Sequence, residues 1–314
     1  MIDKDKLKLS IIIVSYNTRQ MTLECIRSVF EETKSTSFKL IIVDNASSDG
    51  SADAIEKEFG SKVELIKLTD NVGFAAGNNL AADHATTELV LLLNPDTIVL
   101  DEAIDRIVLF SNQNLDALIW GGKTLFADKS LNPTSCWRQI TLWNIFCRSF
   151  GLARLFKNNS FFNSEQYGGW KRDTIKRVDI VTGCFLLIKT ELWKKLDGFD
   201  SDFFMYGEDA DLCLRARNYG ANPLINPDAV IIHYGGASER IKEDKMIKLF
   251  KAKILLTKKH WGNFKYKLGK FIFLLYPLNK VITQKVLFFM GKDVKKEAFV
   301  WGAIWERRKE WLDS

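Results

Sequence analysis

Short apolar runs alternate with segments of helical periodicity along the first hundred residues of the chain. Four runs cover residues 9–16, 38–45, 62–68 and 88–93, and Ile, Val and Leu dominate them. Continuous runs of this length are typical of strands that are buried on both faces of a sheet. Four alternations of strand and helix predict an α/β fold with a doubly wound, mostly parallel sheet flanked by helices.

Local signals predict where several helices begin and end. Ser47 or Ser48 is a candidate N-cap for the second helix, and a third helix is predicted across residues 77–84. Two later helices are predicted over 190–196 and 208–219, because a glycine follows each of them closely. Three further strands are predicted over residues 178–181, 184–188 and 229–234.

The second half of the chain is less regular and more basic. Residues 120–177 are aromatic-rich and predict loops and short helices, whereas lysines and periodic apolar residues from about 240 onward predict an amphipathic helical extension. Residues 240–314 contain 19 Lys and Arg and 7 Asp and Glu, a net charge of +12, so residues 1–239 carry −6 of the total of +6. This asymmetry favours an anionic partner, either a membrane or a nucleic acid, although a solvated lysine-rich face has the same pattern.

Cysteine spacing and the chain start indicate the compartment. The five cysteines are widely spread and none forms a CxxC pair, which favours a reducing compartment and argues against a disulfide framework or a zinc site. The charged first ten residues lack a signal-peptide profile. The longest late apolar run, residues 271–276, is far shorter than the ~18 residues that a membrane span needs. We therefore expect a cytoplasmic protein, with peripheral membrane attachment left open.

Polar residues directly follow three of the predicted strands. Ligands of doubly wound sheets bind outside the carboxyl ends of the strands, so these polar clusters are predicted to meet at one edge. The clusters are Ser15, Tyr16 and Asn17 after the first strand, Asp44 and Asn45 after the second, and Asn94, Pro95 and Asp96 after the fourth.

Asp96 is a candidate cation ligand. A carboxylate at the exit of a buried strand needs solvent, hydrogen bonds or a cation, and Pro95 stiffens the turn that holds it. A rigid, hard oxygen ligand suits Mg²⁺ or Mn²⁺ that bridges substrate phosphates. The alternative is that Asp96 closes a turn or caps the helix near Asp101.

Two other segments are candidates for binding a nucleotide. Asp44 lies where an acid contacts the ribose or base in doubly wound sheets. Gly73 and Gly77 permit close approach of a ligand, and a helix start near them would direct N–H groups at an anion, unless they simply mark a glycine-bearing helix start. No GxGxxG follows the first strand and no GxxxxGK[ST] occurs, which argues against a dinucleotide oxidoreductase and a P-loop NTPase.

Acids cluster at the start of the helix predicted from residue 208. Glu208, Asp209 and Asp211 repel one another, which raises the proton affinity of at least one carboxylate and suits a general base. The alternative is that acids are simply favourable in a first helical turn. His233 ends a predicted strand and is a candidate ligand, with a structural histidine as the alternative.

These segments, taken in order, resemble family-two glycosyltransferases of the GT-A fold, most closely the rhamnosyltransferase-like group. The resemblance implies a glycosyltransferase domain over 1–239, with a nucleotide-sugar half over about 1–100 and an acceptor half over about 101–239, before the basic region 240–314. Each piece is weak alone, and the ordered set is specific. The pieces read SIIIVSYN, IIVDNASSDGS, NVGFAAGNN, LLLNPDT, GCFLLIKTELWKKLDGFDSDFFMYGEDADLCLRARNYG and HYGGAS.

The resemblance also implies roles for single residues. Asp209 matches the catalytic base, with Glu208 beside it, and Asp96 and His233 match the contacts of a divalent cation, Mg²⁺ or Mn²⁺. Asn94 replaces the first carboxylate of the family's DxD metal motif, which implies an ion held mainly by the donor phosphates, Asp96 and His233. The implied donor-binding residues are Ser15, Tyr16, Asn17, Asp44, Asn45, Asn71, Gly73, Phe74, Gly77, Asn78, Asn94 and Asp96.

The implied reaction transfers a sugar, with inversion, from a nucleotide-diphosphate donor to a hydroxyl of a polysaccharide or lipid-linked glycan. Similarity favours L-rhamnose from dTDP-rhamnose, with UDP-hexose and UDP-galactofuranose left open. A sugar-nucleotide pyrophosphorylase is disfavoured because Arg19 is the only base in the loop after the first strand. A non-catalytic nucleotide-sugar-binding module is disfavoured by the Glu208-Asp209 pair.

The resemblance favours a membrane over a nucleic acid as partner of the basic region. Each Lys or Arg near an anionic inner membrane face contributes about 1 kcal/mol to the free energy of membrane binding. Packing on the domain, or a homo-oligomer interface, is the alternative use of the same residues.

Overall fold

The structure, a computed structural model, describes residues 7–235 and 241–312. The described chain divides into two compact units. The first comprises the residues up to Trp137 and those from Lys171 to Gly235, and the second comprises Arg138–Trp170 and residues 241–312. The end of the HYGGAS piece, residues 236–238, and the predicted boundary at 239 lie outside the described residues. The predicted division into 1–239 and 240–314 stays a prediction, while residues 138–170 group with the C-terminal helices.

The first unit contains all the strands of the described chain and six of its α-helices. Its strands are β1 (Leu9–Ser15), β2 (Phe38–Asp44), β3 (Glu64–Lys67), β4 (Leu89–Leu93), β5 (Thr97–Val99), β6 (Ile119–Leu125), β7 (Leu131–Asn132), β8 (Cys136–Trp137), β9 (Lys176–Arg177), β10 (Ile180–Val181), β11 (Phe185–Lys189) and β12 (Leu224–His233). Its helices are α1 (Arg19–Glu32), α2 (Ser51–Phe59), α3 (Gly73–Asp83), α4 (Ala103–Gln113), α7 (Thr190–Lys195) and α8 (Glu208–Ala216). The second unit contains α5 (Leu142–Ser149), α6 (Leu152–Leu155), α9 (Lys242–His260), α10 (Asn263–Phe289), α11 (Lys295–Glu306) and α12 (Arg308–Leu312).

A large mixed sheet forms the centre of the first unit. Its strand order is β3-β2-β1-β4-β11-β6-β12-β5, with β7 paired to β6 and β9 paired to β12. The segment β3-β2-β1-β4 is parallel, and β11 is inserted antiparallel between β4 and β6. All residues of β1 and β4 are buried, which is why residues 11–14 and 89–93 are continuous apolar runs without alternation. The predicted fold class, a doubly wound and parallel-dominated sheet flanked by helices, is confirmed.

Strand register brings the predicted polar clusters to one edge of this sheet. Ser15 at the end of β1 is opposite Asp44 at the end of β2. Leu93 at the end of β4 is opposite Phe185 at the start of β11. Thr97 at the start of β5 is opposite His233 at the end of β12. The carboxyl ends of the parallel strands therefore adjoin the two segments, before β11 and after β12, that contribute the remaining candidates.

Two predicted helix starts are wrong, and side-chain hydrogen bonds explain the first. Helix α2 begins at Ser51 after Gly50, not after Ser47 or Ser48, because the Asp49 carboxylate accepts hydrogen bonds from the Ser51 N–H and hydroxyl. Helix α3 begins at Gly73, four residues before the predicted start at 77.

The second unit is helical in its described residues. Its core consists of apolar side chains from α5 and α9–α12, including Phe250, Phe273 and Trp311. Helix α5 begins with a capping box in which Thr141 and Asn144 bond each other's backbone. The predicted C-terminal helices are therefore present.

Helix α10 corrects the expectation that was based on apolar run length. It has 27 residues, and among the described helices it is the one long and apolar enough, by length and composition, to cross a membrane. Lysines and Asn279 interrupt its apolar sequence, so a count of uninterrupted residues underestimates it.

Candidate active site

The Asn94-Pro95-Asp96 corner is held by strands on both sides. The Asn94 N–H donates to the carbonyl of Cys184 (3.2 Å), just before β11. The main-chain carbonyl of Asp96 accepts a hydrogen bond from the Tyr234 N–H (3.0 Å), and the side-chain Oδ2 of Asp96 accepts one from the Gly235 N–H (3.0 Å). Asp96 therefore does not cap a helix, and its carboxylate faces the end of β12.

His233 lies directly beside this corner. Its Nε2 is 3.4 Å from Asp96 Oδ1 and 3.3 Å from the side-chain amide of Asn94. Burial opposes charge on the His233 ring, but Cys184 and Asp96 raise its pKa to about 10. Burial alone would raise the pKa of Asp96, but His233 lowers it. Asp96 and His233, the two predicted cation ligands, are therefore in contact.

Asn94, Asp96 and His233 form a partial ligand set for a divalent cation. Asn94 Oδ1 and His233 Nδ1 are buried without a hydrogen-bond partner. The side-chain amide of Asn94 can turn over and exchange the positions of its oxygen and nitrogen. Carboxylate and amide oxygens with an imidazole suit Mg²⁺ or Mn²⁺. In the described residues no three His, Cys, Asp or Glu side chains cluster as a metal site. A cation here would therefore need further ligands from a substrate.

The end of β2 supplies a buried carboxylate with one free oxygen. Asp44 is 3% exposed, and its Oδ1 accepts from the Ser47 N–H (3.0 Å). Its Oδ2 has no hydrogen-bond partner. An unpartnered buried carboxylate oxygen is costly, and a donor from a bound ligand would satisfy it.

Asn45 and Asn71 fix the loop before α3. The Asn45 Nδ2 donates to Asn71 Oδ1 (3.0 Å) and to the Gly73 carbonyl (3.2 Å), and its Oδ1 accepts from the Val72 N–H (2.9 Å). Asn71 Oδ1 also accepts from the Gly73 N–H (2.9 Å). Both side chains are therefore engaged in positioning the loop that follows β3.

The loops after β1 and β2 are joined in the same way. The Asn17 N–H donates to the Ser47 hydroxyl (3.0 Å), and Asn17 Oδ1 accepts from the Ser48 N–H (2.8 Å). Tyr16, in the loop after β1, is half-buried. Ser15 is fully buried, and its hydroxyl lies 2.9 Å from the hydroxyl of Thr22. Ser15 thus holds the start of α1, which accounts for it without a ligand.

The start of α3 packs against the segment that leads to α8. Gly73 has φ +87°, and the Phe74 N–H donates to the Phe204 carbonyl (2.9 Å). A Cβ on Gly77 would lie 3.0 Å from Val14 of β1, and the Asn78 Nδ2 donates to the Phe74 carbonyl (2.8 Å). Gly77 and Asn78 are buried, so their evident roles are close packing and helix stabilisation.

We expect replacement of Gly73 by alanine to destabilise the protein more than the same change at Gly220. Both glycines have positive φ, +87° and +83°, which costs a side chain about 1–2 kcal/mol. At Gly73 the new Cβ would also lie 2.5 Å from the Phe204 carbonyl oxygen, whereas nothing lies within 4 Å at Gly220. The clash should add about 1–3 kcal/mol to the loss. Urea unfolding measures both variants, and equal losses would contradict the contact.

The two acids at the start of α8 have different surroundings. Asp209 is half-buried; its Oδ2 accepts from the Gly183 N–H (3.1 Å) and its Oδ1 from the Ala210 N–H (2.7 Å). Burial raises the pKa of Asp209. Glu208 is 5% exposed with Oε2 unpartnered, and burial together with the Asp209 charge raises its pKa well above the usual value. Asp211, the third acid of this cluster, instead pairs with Arg215 (2.6 Å).

Gly183 and Cys184 connect these groups. Gly183 binds Asp209 through its N–H, and a Cβ on it would lie 3.3 Å from the Phe74 ring. The main-chain carbonyl of Cys184 accepts a hydrogen bond from the Asn94 N–H. Asp209, Phe74 and the Asn94 corner therefore adjoin one short segment before β11. Gly183 and Cys184 begin one of the sequence pieces that carry the family resemblance, but the sequence predicted no role for them, because Thr-Gly-Cys carries no signal by residue type.

A separate cleft of about 530 Å³ lies between α3 and the segment after α7. Its walls include Asn79, Trp193, Asp197 and Arg215, and none of the predicted site residues lines it. Arg215 is engaged there with the carbonyls of Leu196 (2.7 Å) and Gly198 (2.8 Å).

Comparison with known families identifies a matching group. The family model described as Glycosyl transferase family 2 matches residues 10–179, more than half of the chain. The Escherichia coli (strain K12) rhamnosyltransferase WbbL is 30% identical over 177 residues, which cover 54% of this chain and 63% of that protein. The Myxococcus xanthus O-antigen biosynthesis protein RfbC is 26% identical over 238 residues, 74% of this chain and 18% of that protein. The match thus spans less than two thirds of either relative.

Solved structures share the fold at low sequence identity. The mannosyltransferase PcManGT from Pyrobaculum calidifontis, in complex with GDP-Man and Mn²⁺, has a TM-score of 0.61 at 16% identity, covering 98% of this chain and 88% of that one. The Staphylococcus aureus TarS 1–349 structure with UDP has a TM-score of 0.52 at 16% identity, covering 92% and 77%. These likenesses confirm the predicted GT-A type of fold.

Proposed function

This chain belongs to glycosyl transferase family 2, and we propose that it transfers a sugar from a nucleotide-diphosphate donor to a hydroxyl of a glycan acceptor. The observation that carries the proposal is a group of unpartnered buried oxygens, Asp44 Oδ2, Asn94 Oδ1 and Glu208 Oε2, together with the contact between His233 Nε2 and Asp96. Native proteins rarely leave buried polar atoms without partners, and each such atom calls for an explanation such as a binding or catalytic role. A nucleotide sugar with its cation offers the complementary groups.

Asp44 is the proposed contact for the nucleoside, because its free oxygen lies at the end of β2, where doubly wound sheets bind a ribose or base. Tyr16 and Asn17 lie on the neighbouring loop. Asn45, Asn71, Gly73, Phe74, Gly77 and Asn78 are proposed to shape the donor site through the contacts that fix α3, rather than each binding the donor directly. Ser15 is proposed to act only through α1.

Asp96 and His233, with Asn94 beside them, are the proposed ligands of Mg²⁺ or Mn²⁺, and His233 would have to release its ring proton to bind the ion. Such an ion, once bound with the donor, neutralises charge on the diphosphate. Two structural relatives, PcManGT and GalNAc-T7, have been solved with Mn²⁺, which supports a divalent cation for this chain.

Asp209 is the proposed general base. Its two hydrogen bonds fix the carboxylate, and its raised pKa makes it a stronger proton acceptor than an ordinary aspartate. It would take the proton of the acceptor hydroxyl while that oxygen forms a bond to the anomeric carbon. The bond from that carbon to the diphosphate oxygen breaks, and the electron pair leaves with the diphosphate. Attack opposite the leaving group inverts the anomeric centre.

Glu208 is proposed to stay protonated beside the ionised Asp209, because burial and the neighbouring charge both disfavour a second anion. With Glu208 neutral, Asp209 is the ionised carboxylate of the pair and the one that can accept a proton.

L-rhamnose from dTDP-rhamnose is the proposed donor, supported by the likeness to a relative named rhamnosyltransferase. Transfer from UDP-hexose or UDP-galactofuranose is the alternative, and the Haloferax volcanii relative Agl10, 26% identical over 218 residues, is named a hexosyltransferase. The proposed acceptor is a polysaccharide or lipid-linked glycan of the cell envelope, since RfbC is named for O-antigen biosynthesis.

A thermal-shift panel of nucleotide sugars with and without Mn²⁺ tests the proposal. We expect dTDP-rhamnose with Mn²⁺ to stabilise the protein by ~2.7 kcal/mol at a hundredfold excess over Kd. A larger shift with a UDP-sugar would replace rhamnose by the alternative donor. No shift with any nucleotide sugar would overturn the proposed function.

A donor-hydrolysis assay on the same panel distinguishes an enzyme from a binding module. Slow, Mn²⁺-dependent release of nucleoside diphosphate is expected for a transferase without its acceptor. Binding without any hydrolysis, and without transfer to envelope glycans, would favour the non-catalytic module.

A further inference from the structure

Helix α10 carries two apolar stripes on opposite faces. One stripe, formed by Gly269, Phe273 and Pro277 at intervals of four residues, is buried within the second unit. Phe273 there packs edge-on to Phe250 and Trp311. A helix that is buried along one face ordinarily exposes a polar opposite face.

The opposite face of α10 is instead apolar and exposed. At about 100° per residue, the exposed stripe lies roughly half a turn from the buried one. Its exposed residues form two patches, 264–271 and 282–289, each about 10 Å long at ~1.5 Å per residue, and the apolar residues between them are half-buried. Its exposed members are Phe264 (82%), Leu268 (38%), Phe271 (60%), Ile282 (50%), Val286 (51%) and Phe289 (87%). Two aligned apolar patches on one helix face are more than the scattered apolar residues of an ordinary surface, and they indicate an interaction site.

The charges of α10 indicate what covers this stripe. The helix contains five lysines and neither Asp nor Glu. Self-association through the stripe would place lysines against lysines, whereas helix pairs are stabilised by opposite charges beside the apolar seam. A lysine-flanked apolar stripe is complementary to a bilayer with anionic headgroups.

The packing of α10 favours a position along the membrane surface rather than across it. The Asn279 Nδ2 donates to the Ser149 carbonyl (2.9 Å), and Lys280 lies over the rings of Tyr276 (5.7 Å) and Trp301 (5.8 Å). A membrane span would expose Asn279 and Lys280 to lipid or carry their partners into the bilayer with them, and both are costly. With α10 parallel to the surface, these contacts stay intact.

We propose that the exposed stripe of α10 is a membrane-docking surface that inserts into the interfacial layer of an anionic bilayer. The helix lies in the membrane plane, with Phe264, Phe271 and Phe289 among the inserted side chains and the lysines at the headgroups. The proposal concerns the second unit alone and is independent of the reaction catalysed by the first.

Vesicle flotation of the full chain tests this proposal. We expect the protein to float with vesicles that contain phosphatidylglycerol, less with phosphatidylcholine alone, and less again at high salt, because salt screens the lysines. The double variant Phe271→Glu/Ile282→Glu should lower the partition coefficient at least about tenfold, since two inserted apolar side chains are lost. The matched control is Leu109→Glu/Leu115→Glu, which places the same charges on exposed leucines of the first unit (61% and 56% exposed) and should float like the parent.

Three results would overturn the proposal. One is flotation of the Phe271→Glu/Ile282→Glu variant equal to that of the parent, with both folded by circular dichroism. Another is a parent that does not float but forms a dimer by light scattering, which the variant dissolves, because a second copy would then cover the stripe. The third is parent protein that alkaline carbonate cannot extract from vesicles, because α10 would then span the membrane.

Discussion

Replacement of Asp209 by asparagine is expected to lower the rate of sugar transfer by at least ~10²–10⁴-fold, the usual contribution of a positioned base. The amide keeps the size of the side chain and its Oδ1 contact with the Ala210 N–H, but it cannot take a proton from the acceptor. The donor Kd should stay within a few-fold of that of the parent. Transfer assays with a labelled donor and isothermal titration of that donor measure the two quantities separately.

The pH profile provides an independent check on Asp209. Burial raises its pKa, so the base is lost as the pH falls through a value above the ~3.9 of an exposed aspartate. The acid limb of kcat/KM for the parent should lie above that value and should disappear in the residual activity of the asparagine variant. Parent-like turnover in this variant would remove Asp209 from the role of base.

Replacement of Asp96 by alanine should abolish the metal dependence of donor binding. Changes to the outer partners of metal ligands already cost ~10–100-fold in affinity, so loss of a direct ligand should weaken donor binding with Mn²⁺ by at least about 100-fold. Binding without Mn²⁺ should change little. Isothermal titration of the donor with and without the cation measures this difference.

Asp105 provides a matched control for the loss of a buried carboxylate. It is 8% exposed, accepts hydrogen bonds from the N–H groups of Lys34, Ser35 and Thr36, and has no contact with the candidate site among its described bonds. Asp105→Ala should lower the free energy of unfolding by about 1–3 kcal/mol and leave Mn²⁺-dependent donor binding intact. If Asp96→Ala behaves like Asp105→Ala, then Asp96 has a structural role only.

The positions of the strand ends could be predicted because burial fixes them. A strand buried on both faces has a continuous apolar stretch at its centre, so the polar residue that follows this stretch marks the exit, as Ser15, Asp44 and Asn94 do. Parallel topology then places those exits at one edge. Helix α8 was predictable from the acids in its own first turn, but the segments that contact it were not.

The contacts between distant segments could not be predicted. No local pattern indicates that β11 enters the sheet antiparallel beside β4 and brings Gly183 to Asp209. The sequence also does not show which of several neighbouring polar residues caps a helix. Asp49, rather than Ser47 or Ser48, accepts a hydrogen bond from the first residue of α2. The length of α10 was missed because lysines interrupt its apolar sequence while the helix continues.

The hydrogen bonds from Asn45 and Asn17 have a thermodynamic consequence. They tie the loops after β1, β2 and β3 to one another before any donor arrives. A ligand that meets these loops need not immobilise them, so the entropy lost on association comes mainly from its own rotatable bonds. Tight capture of a flexible nucleotide sugar is then compatible with few direct contacts from the protein.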